Sequence, residues 1–219
     1  MLELTKTDLL AIENHDDEYL LNKGVDYYKE GDYKTSFEYY QIAANLGNPI
    51  AICNLGHYYY DGLGVEKNSS LSFGYLLMAA KMGDIHATYL LGRFYKTGEI
   101  VEKDDELGFY YLNSALDMID DSDDEYFAYQ FPSLFHFVAS DILSQEVVDD
   151  LDYYQAYDYL MNAKKGYEIR LLQGIDSADD DLKEVEKLLE AEIFDEIREE
   201  YQEDENFEHH SCHCHCDEE

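Results

Sequence analysis

The chain has 219 residues, 46% of them hydrophobic, enough for one domain or a short solenoid with a buried core. Its 50 acidic residues against 15 basic ones leave a formal net charge of −35. Nucleic acid and anionic membrane surfaces are thereby excluded as partners, because both are held through Lys and Arg.

Basic, neutral apolar or metal-cation partners remain, and the like charge also favours a soluble monomer. Only 2 prolines occur, which removes the main helix breaker from nearly the whole chain. No stretch approaches the roughly 18 consecutive apolar residues of a membrane helix. The opening residues Met1-Leu2-Glu3-Leu4-Thr5-Lys6-Thr7-Asp8 lack a basic start followed by an apolar run. A cytoplasmic protein is therefore expected.

Residues 1–17 form an N-terminal segment. From about residue 18 the chain repeats itself, and such a repeat determines the architecture. At an offset of 36, Leu55-Gly56 falls on Leu91-Gly92, Tyr59 on Tyr95, Gly62 on Gly98 and Glu66-Lys67 on Glu102-Lys103. The register continues through Phe73 with Phe109, Leu76 with Leu112 and Ala79 with Ala115. An earlier copy carries Gly24, Tyr27-Tyr28, Phe37 and Ala43-Ala44, with the short loop Glu30-Gly31-Asp32 in place of Asp61–Lys67. The copies span about 18–48, 49–84 and 85–120.

Each copy reads as two helices. The first, about 51–60 in the second copy, stops at a glycine able to turn left-handed, and the second starts near Asn68 or Ser69 and ends at Gly83. Small residues recur on the facing sides, Gly24, Gly56 and Gly92 against Ser36, Ser72 and Gly108, so that the two helices can approach closely. One such hairpin cannot bury its apolar face alone, whereas stacked copies share a core. The 22 tyrosines suit this, with ring bodies packed and hydroxyls at the wet edge.

Beyond an acidic loop at Asp120–Glu125, a longer helix is expected from Glu125 to Leu143, with Pro132 near its first turn or kinking it. Tyr153 to Lys165 repeats the second-helix pattern: Ala156, Tyr157, Tyr159, Leu160 and Ala163 match Ser72, Phe73, Tyr75, Leu76 and Ala79 in order and spacing. Residues 124–167 therefore read as a degenerate fourth repeat. Within 168–202, the stripe Leu182, Val185, Leu189, Ile193 and Ile197 makes 180–201 amphipathic, which suits a helix covering the solenoid end or one docking onto another subunit.

Residues 51–118 resemble two Sel1-like repeats, in the Leu55-Gly56 pair, Tyr59, Gly62-Leu63-Gly64-Val65 and Ala79-Ala80-Lys81-Met82-Gly83. The third copy departs from that pattern with Glu99-Ile100 in the loop and Ser114-Ala115 for the alanine pair. The first copy is similar to the related tetratricopeptide repeat. The resemblance implies an all-α, right-handed alpha-alpha solenoid closed by a C-terminal helix, and a scaffold that binds a protein or peptide. It further implies that the first helix of each pair lines a concave groove, at Leu21, Val25 and Tyr28, then Cys53, His57 and Tyr60, then Tyr89, Arg93 and Lys96. Arg93 and Lys96, with the tyrosines, could hold a carboxylate or an acidic peptide, or simply pair with neighbouring acids such as Asp61. Cys53 and His57 are four apart on one helix face, but two ligands make no metal site and a buried Cys is usually packing.

Near its end the chain carries His209, His210, Ser211, Cys212, His213, Cys214, His215 and Cys216, where seven of eight residues are metal ligands by type, and Cys53 is the one cysteine elsewhere. Thiolate and imidazole together suit Zn²⁺, Ni²⁺ or Cu⁺. A thiol redox cluster and a tail of no consequence are the alternatives. The fold requires no cofactor. With no glycine-rich phosphate loop, no Gly-x-Ser-x-Gly elbow and no His-Glu-x-x-His, the chain reads as a binding protein and not an enzyme.

Overall fold

The computed structural model describes residues 2–120, 128–145, 147–175 and 177–201. Their regular structure is helical: α1 (Lys6–Glu13), α2 (Asp17–Lys29), α3 (Tyr33–Asn45), α4 (Pro49–Asp61), α5 (Ser69–Lys81), α6 (Ile85–Thr97), α7 (Asp105–Asp120), α8 (Pro132–Leu143), α9 (Asp150–Leu172) and α10 (Ala178–Leu189). Short 3₁₀ turns lie at Ala128–Gln130 and Glu192–Phe194. The chain divides into two compact units, Met1–Asp121 and Ser122–Glu219. Among the described residues, no helix is long and apolar enough to cross a membrane.

The first unit is a solenoid of three hairpins, α2–α3, α4–α5 and α6–α7, in which each helix packs against the next. Local chemistry sets the boundaries. Asp16, Asp32, Asn48, Asn68 and Asp84 each accept the backbone N–H three residues on, satisfying one of the amides that a helix start leaves unpaired. α4 and α6 both end on left-handed glycines, Gly62 (φ 76) and Gly98 (φ 71), where a side chain would be strained.

Within the hairpins the helices nearly touch. A Cβ on Gly56 would lie 2.8 Å from Leu76 Cγ, and one on Gly92 would lie 2.8 Å from Leu112 Cγ. Leu76 and Leu112 are themselves buried, as are Leu20, Tyr39, Leu55, Leu91 and Phe94.

The N-terminal segment contributes a helix that the repeat pattern did not reveal. Asp8 on α1 is buried, and its carboxylate accepts hydrogen bonds from the Thr5 N–H (2.7 Å), the Thr5 hydroxyl (2.7 Å), the Tyr39 hydroxyl (3.0 Å) and the Tyr19 hydroxyl (3.1 Å). α1 is thus tied to both helices of the first hairpin.

In the second unit two sequence expectations change. The helix expected from Glu125 starts instead at Pro132, the N1 position, where the missing N–H costs nothing. The amphipathic stretch 180–201 is not one helix. α10 stops at Leu189, the 3₁₀ turn follows, and 195–201 is helical again. That turn shifts the register, so Phe194 is buried against Tyr157 (5.3 Å) while Ile193 is 52% exposed. Arg198 closes the break by donating to the carbonyls of Leu189 (2.5 Å) and Ala191 (3.1 Å). In α9 the positions matched to the second-helix pattern, Ala156, Leu160 and Ala163, are all buried.

Candidate functional site

The residues expected on the first helices take three different places. Leu21, Cys53 and Tyr89 are buried. The Cys53 thiol is bonded to Asp84 and its pKa is pushed up, chiefly by burial and then by that carboxylate. Cys53 therefore packs as a neutral thiol. Among the described residues, no group of three or more His, Cys, Asp or Glu side chains could hold a metal ion. The seven tail ligands, His209, His210, Cys212, His213, Cys214, His215 and Cys216, lie outside the described residues.

Tyr28, His57, Tyr60 and Arg93 are at least partly exposed and form contacts from one hairpin to the next. Tyr28 of α2 is 46% exposed, its ring centroid 6.4 Å from that of Tyr58 on α4. His57 stacks on His86 of α6 at 5.1 Å with the planes 23° apart. Burial holds its pKa below the usual histidine value, with Arg93 adding to the shift and Asp61 opposing it. Tyr60 packs on Phe94 at 5.4 Å and donates its hydroxyl to Glu99, while the Lys67 ammonium sits 5.1 Å from its ring. Arg93 reaches the same Glu99 at 3.7 Å.

Lys96 does not join Arg93. Its side chain is 10% exposed, and its ammonium lies 3.9 Å from the Phe109 ring centroid and 3.5 Å from Asp105. The stem fills the notch beside Gly108, where a Cβ would come within 2.6 Å of Lys96 Cγ. Lys96 is thus built into the α6–α7 hairpin, and Arg93 faces α4. The acid-rich chain supplies these two cations with different carboxylates, Glu99 and Asp105.

These helices border a cleft of about 310 Å³ lined by Tyr28, Tyr40, Asn54, His57, Tyr58, Asp61 and Leu63. Tyr58 and Tyr40 are buried, their rings crossing at 86° and 5.6 Å. The Tyr58 hydroxyl points away from the cleft to Ser36 Oγ (2.6 Å). The floor is therefore aromatic carbon, and polar groups stand at the rim. Sequence reasoning found Tyr28 and His57 but missed Tyr40, Asn54, Tyr58 and Asp61. Tyr40 and Tyr58 are buried core residues, and no sequence pattern separates them from the rest of the core.

A second, larger opening of about 610 Å³ lies beside α3 and α5, with Leu2, Leu4, Ile42, Tyr75 and Met78 among its walls. It contains none of the exposed side chains shared between hairpins.

Compared with known proteins, the chain matches the Sel1 repeat family over residues 10–48, 49–84 and 85–120, about half its length. Among solved structures, it is similar to a Sel1 repeat protein from Oxalobacter formigenes, with 24% identity, a TM-score of 0.54, and coverage of 74% of this chain and 63% of that one. It is also similar to c5321, a protective antigen present in uropathogenic Escherichia coli strains displaying an SLR fold, with 22% identity, a TM-score of 0.50, and coverage of 84% of this chain and 44% of that one. The chain spans less than two thirds of either structure, and at these identities the likeness establishes the fold. No curated protein matches.

Proposed function

We propose that this chain, which belongs to the Sel1 repeat family, is a protein-binding scaffold that takes up a segment of a partner protein along α2, α4 and α6. The observation that carries this reading is the cleft between α2 and α4, continued along α4 and α6 by the side chains of His57, Tyr60 and Arg93. Tyrosines suit that role: each ring presents a large contact area with only two side-chain torsions to fix, and its hydroxyl can bond a partner. The cations Arg93 and Lys96 already serve Glu99 and Asp105, so a carboxylate-bearing ligand would have to displace them. The charge left for a partner is negative.

The test compares wild type with the double variant Tyr28→Ala/Tyr60→Ala as baits, with far-UV circular dichroism confirming that the helices survive. A partner captured and cross-linked by wild type should be lost by the variant. Equal capture by both would end the groove reading.

A second role is favoured by one sequence observation, the concentration of seven ligand-type residues in 209–216. On that ground the tail binds a thiophilic ion of the Zn²⁺, Ni²⁺ or Cu⁺ type, giving the scaffold a cargo. Elemental analysis of protein with and without residues 209–219 decides this: equal metal content in both removes the role.

A further inference from the structure

We propose that the cleft between α2 and α4 receives a single cationic side chain, Lys or Arg, of the bound partner, held against the Tyr28 ring and closed by the Asp61 carboxylate. This rests on the scaffold reading and adds its chemistry.

The walls point to a cation. Tyr58 forms the floor with its hydroxyl committed to Ser36 at 2.6 Å, so its ring has no polar group to offer the cleft. Tyr40 crosses it at 86° and Tyr28 at 54°, with centroids 5.6 and 6.4 Å away. Tyr40 and Tyr58 are buried and packed on one another, so the exposed Tyr28 ring is the one that can offer a guest its face, which carries the negative end of the quadrupole. At the rim Asp61 is exposed and forms no ion pair among the described residues. Between floor and rim stands His57, whose lowered pKa leaves it uncharged at neutral pH, so it does not repel a cation.

Size and charge agree with this occupant. About 310 Å³ admits an ammonium or guanidinium on its stem and is too small for a folded element. The net charge of −35 draws basic segments toward the protein and repels acidic ones. The chain already uses the same chemistry on itself: Lys23 sits 5.4 Å from the Tyr27 ring and Lys67 sits 5.1 Å from Tyr60. Neither lysine lines this cleft.

The probe is a short neutral peptide carrying one Arg, titrated into ¹⁵N-labelled full chain, beside the same peptide with citrulline, which keeps the shape and loses the charge. The Arg peptide should produce saturable shifts centred on Tyr28, Asn54 and Asp61, and the citrulline peptide none. Asp61→Asn and Tyr28→Ala should each weaken binding by about threefold or more, while Tyr28→Phe, which keeps the ring, should bind like wild type. Tyr28 is 46% exposed and Asp61 lies at the helix end, so these variants keep the fold, which their spectra report directly. Shifts scattered evenly over acidic positions, insensitive to Asp61→Asn and Tyr28→Ala, would overturn the proposal. So would equal binding of the citrulline peptide. A partner protein retained by Asp61→Asn and lost by Tyr28→Ala/Tyr60→Ala would leave the scaffold standing without the cation pocket.

Discussion

The Tyr58 hydroxyl donates a 2.6 Å hydrogen bond to Ser36 Oγ, and Ser36 in turn donates to the Gly24 carbonyl at 2.7 Å. A buried polar chain thus runs from α4 through α3 into α2, joining the second hairpin to both helices of the first. One repeat later the hydroxyl is missing. Phe94 stands 36 residues after Tyr58, and Ser72, 36 after Ser36, has a buried Oγ with no hydrogen-bond partner among the described residues. The same substitution should therefore have opposite consequences in the two repeats. Ser36→Ala strips a donor and an acceptor from groups that remain buried and should cost about 1–3 kcal/mol. Ser72→Ala removes a hydroxyl that was already unsatisfied and should be neutral or stabilising. Urea unfolding of both variants measures the contrast; a comparable loss in each would contradict it.

Two glycines of the helices make a second pair. A Cβ on Gly92 would meet Leu112 Cγ at 2.8 Å and the Leu112 backbone nitrogen at 3.0 Å, and backbone cannot step aside. Gly74, on α5, would meet nothing within 4 Å. Gly92→Ala should lower stability by about 1–3 kcal/mol through overpacking. Gly74→Ala should raise it by about 0.5–1 kcal/mol, because alanine has less backbone freedom to lose on folding. Thermal melts of the two variants should shift in opposite directions.

Asp8 gives a pH signature. Burial raises its pKa, but the hydrogen bonds from Thr5, Tyr39 and Tyr19 outweigh burial and the carboxyl titrates below the usual aspartate value. A carboxylate depressed in this way adds stability that is fully present above its unfolded pKa of about 3.9 and disappears as pH falls through the folded one. Acidification also relieves repulsion across so acidic a chain, so the measurement must be a difference. Asp8→Asn should be destabilised relative to wild type at pH 7, and the gap in urea midpoint should narrow as pH falls below about 4. A gap independent of pH would mean that the carboxylate's charge contributes nothing.

The hairpins were legible because equivalent turns demand equivalent chemistry. Asn48 and Asp84 both cap helix starts, Gly62 and Gly98 both end helices left-handed, and each pair is 36 residues apart in the sequence itself. α1 was not legible, because its attachment runs through a charged residue, Asp8, that reads as surface. Nor was the divergence of Arg93 and Lys96, since three positions along a helix leave two side chains on neighbouring but different rows. Only the notch at Gly108 determines that the Lys96 stem turns into the hairpin. In the second unit a stripe drawn through Leu182 and Ile197 ignores the 3₁₀ turn, whose tighter winding brings Phe194 inward and Ile193 outward. The cleft failed for a related reason. Its floor is Tyr40 and Tyr58, and a residue that packs one edge of its ring in the core while lending the other to a cleft has no separate pattern.

The imidazole stack between α4 and α6 should respond to acid. His57 lies over His86 at 5.1 Å, with Tyr89 beyond His86 at 6.0 Å, Arg93 on α6 and Asp61 one turn along α4. Burial and Arg93 both disfavour a charged His57, and Asp61 only partly compensates. A histidine whose pKa is depressed by folding binds protons more readily in the unfolded chain. Its neutral packing therefore contributes full stability above about pH 6.5 and loses it as pH falls toward the folded value. Asp84 caps α6 beside this stack through the Ala87 N–H at 2.6 Å. Burial pushes its pKa up, with the bonds from Ala87, Cys53 and His86 opposing, so the folded chain takes up this proton more readily than the unfolded one and Asp84 works against the loss from His57 as pH falls. Amide exchange along α4 and α6 should quicken between pH 7 and pH 5, after correction for intrinsic rates, while α2 and α3 change less. His57→Gln keeps a polar group of similar reach without the titration and should flatten most of that response. If the exchange of His57→Gln tracks wild type across the range, the response does not come from His57.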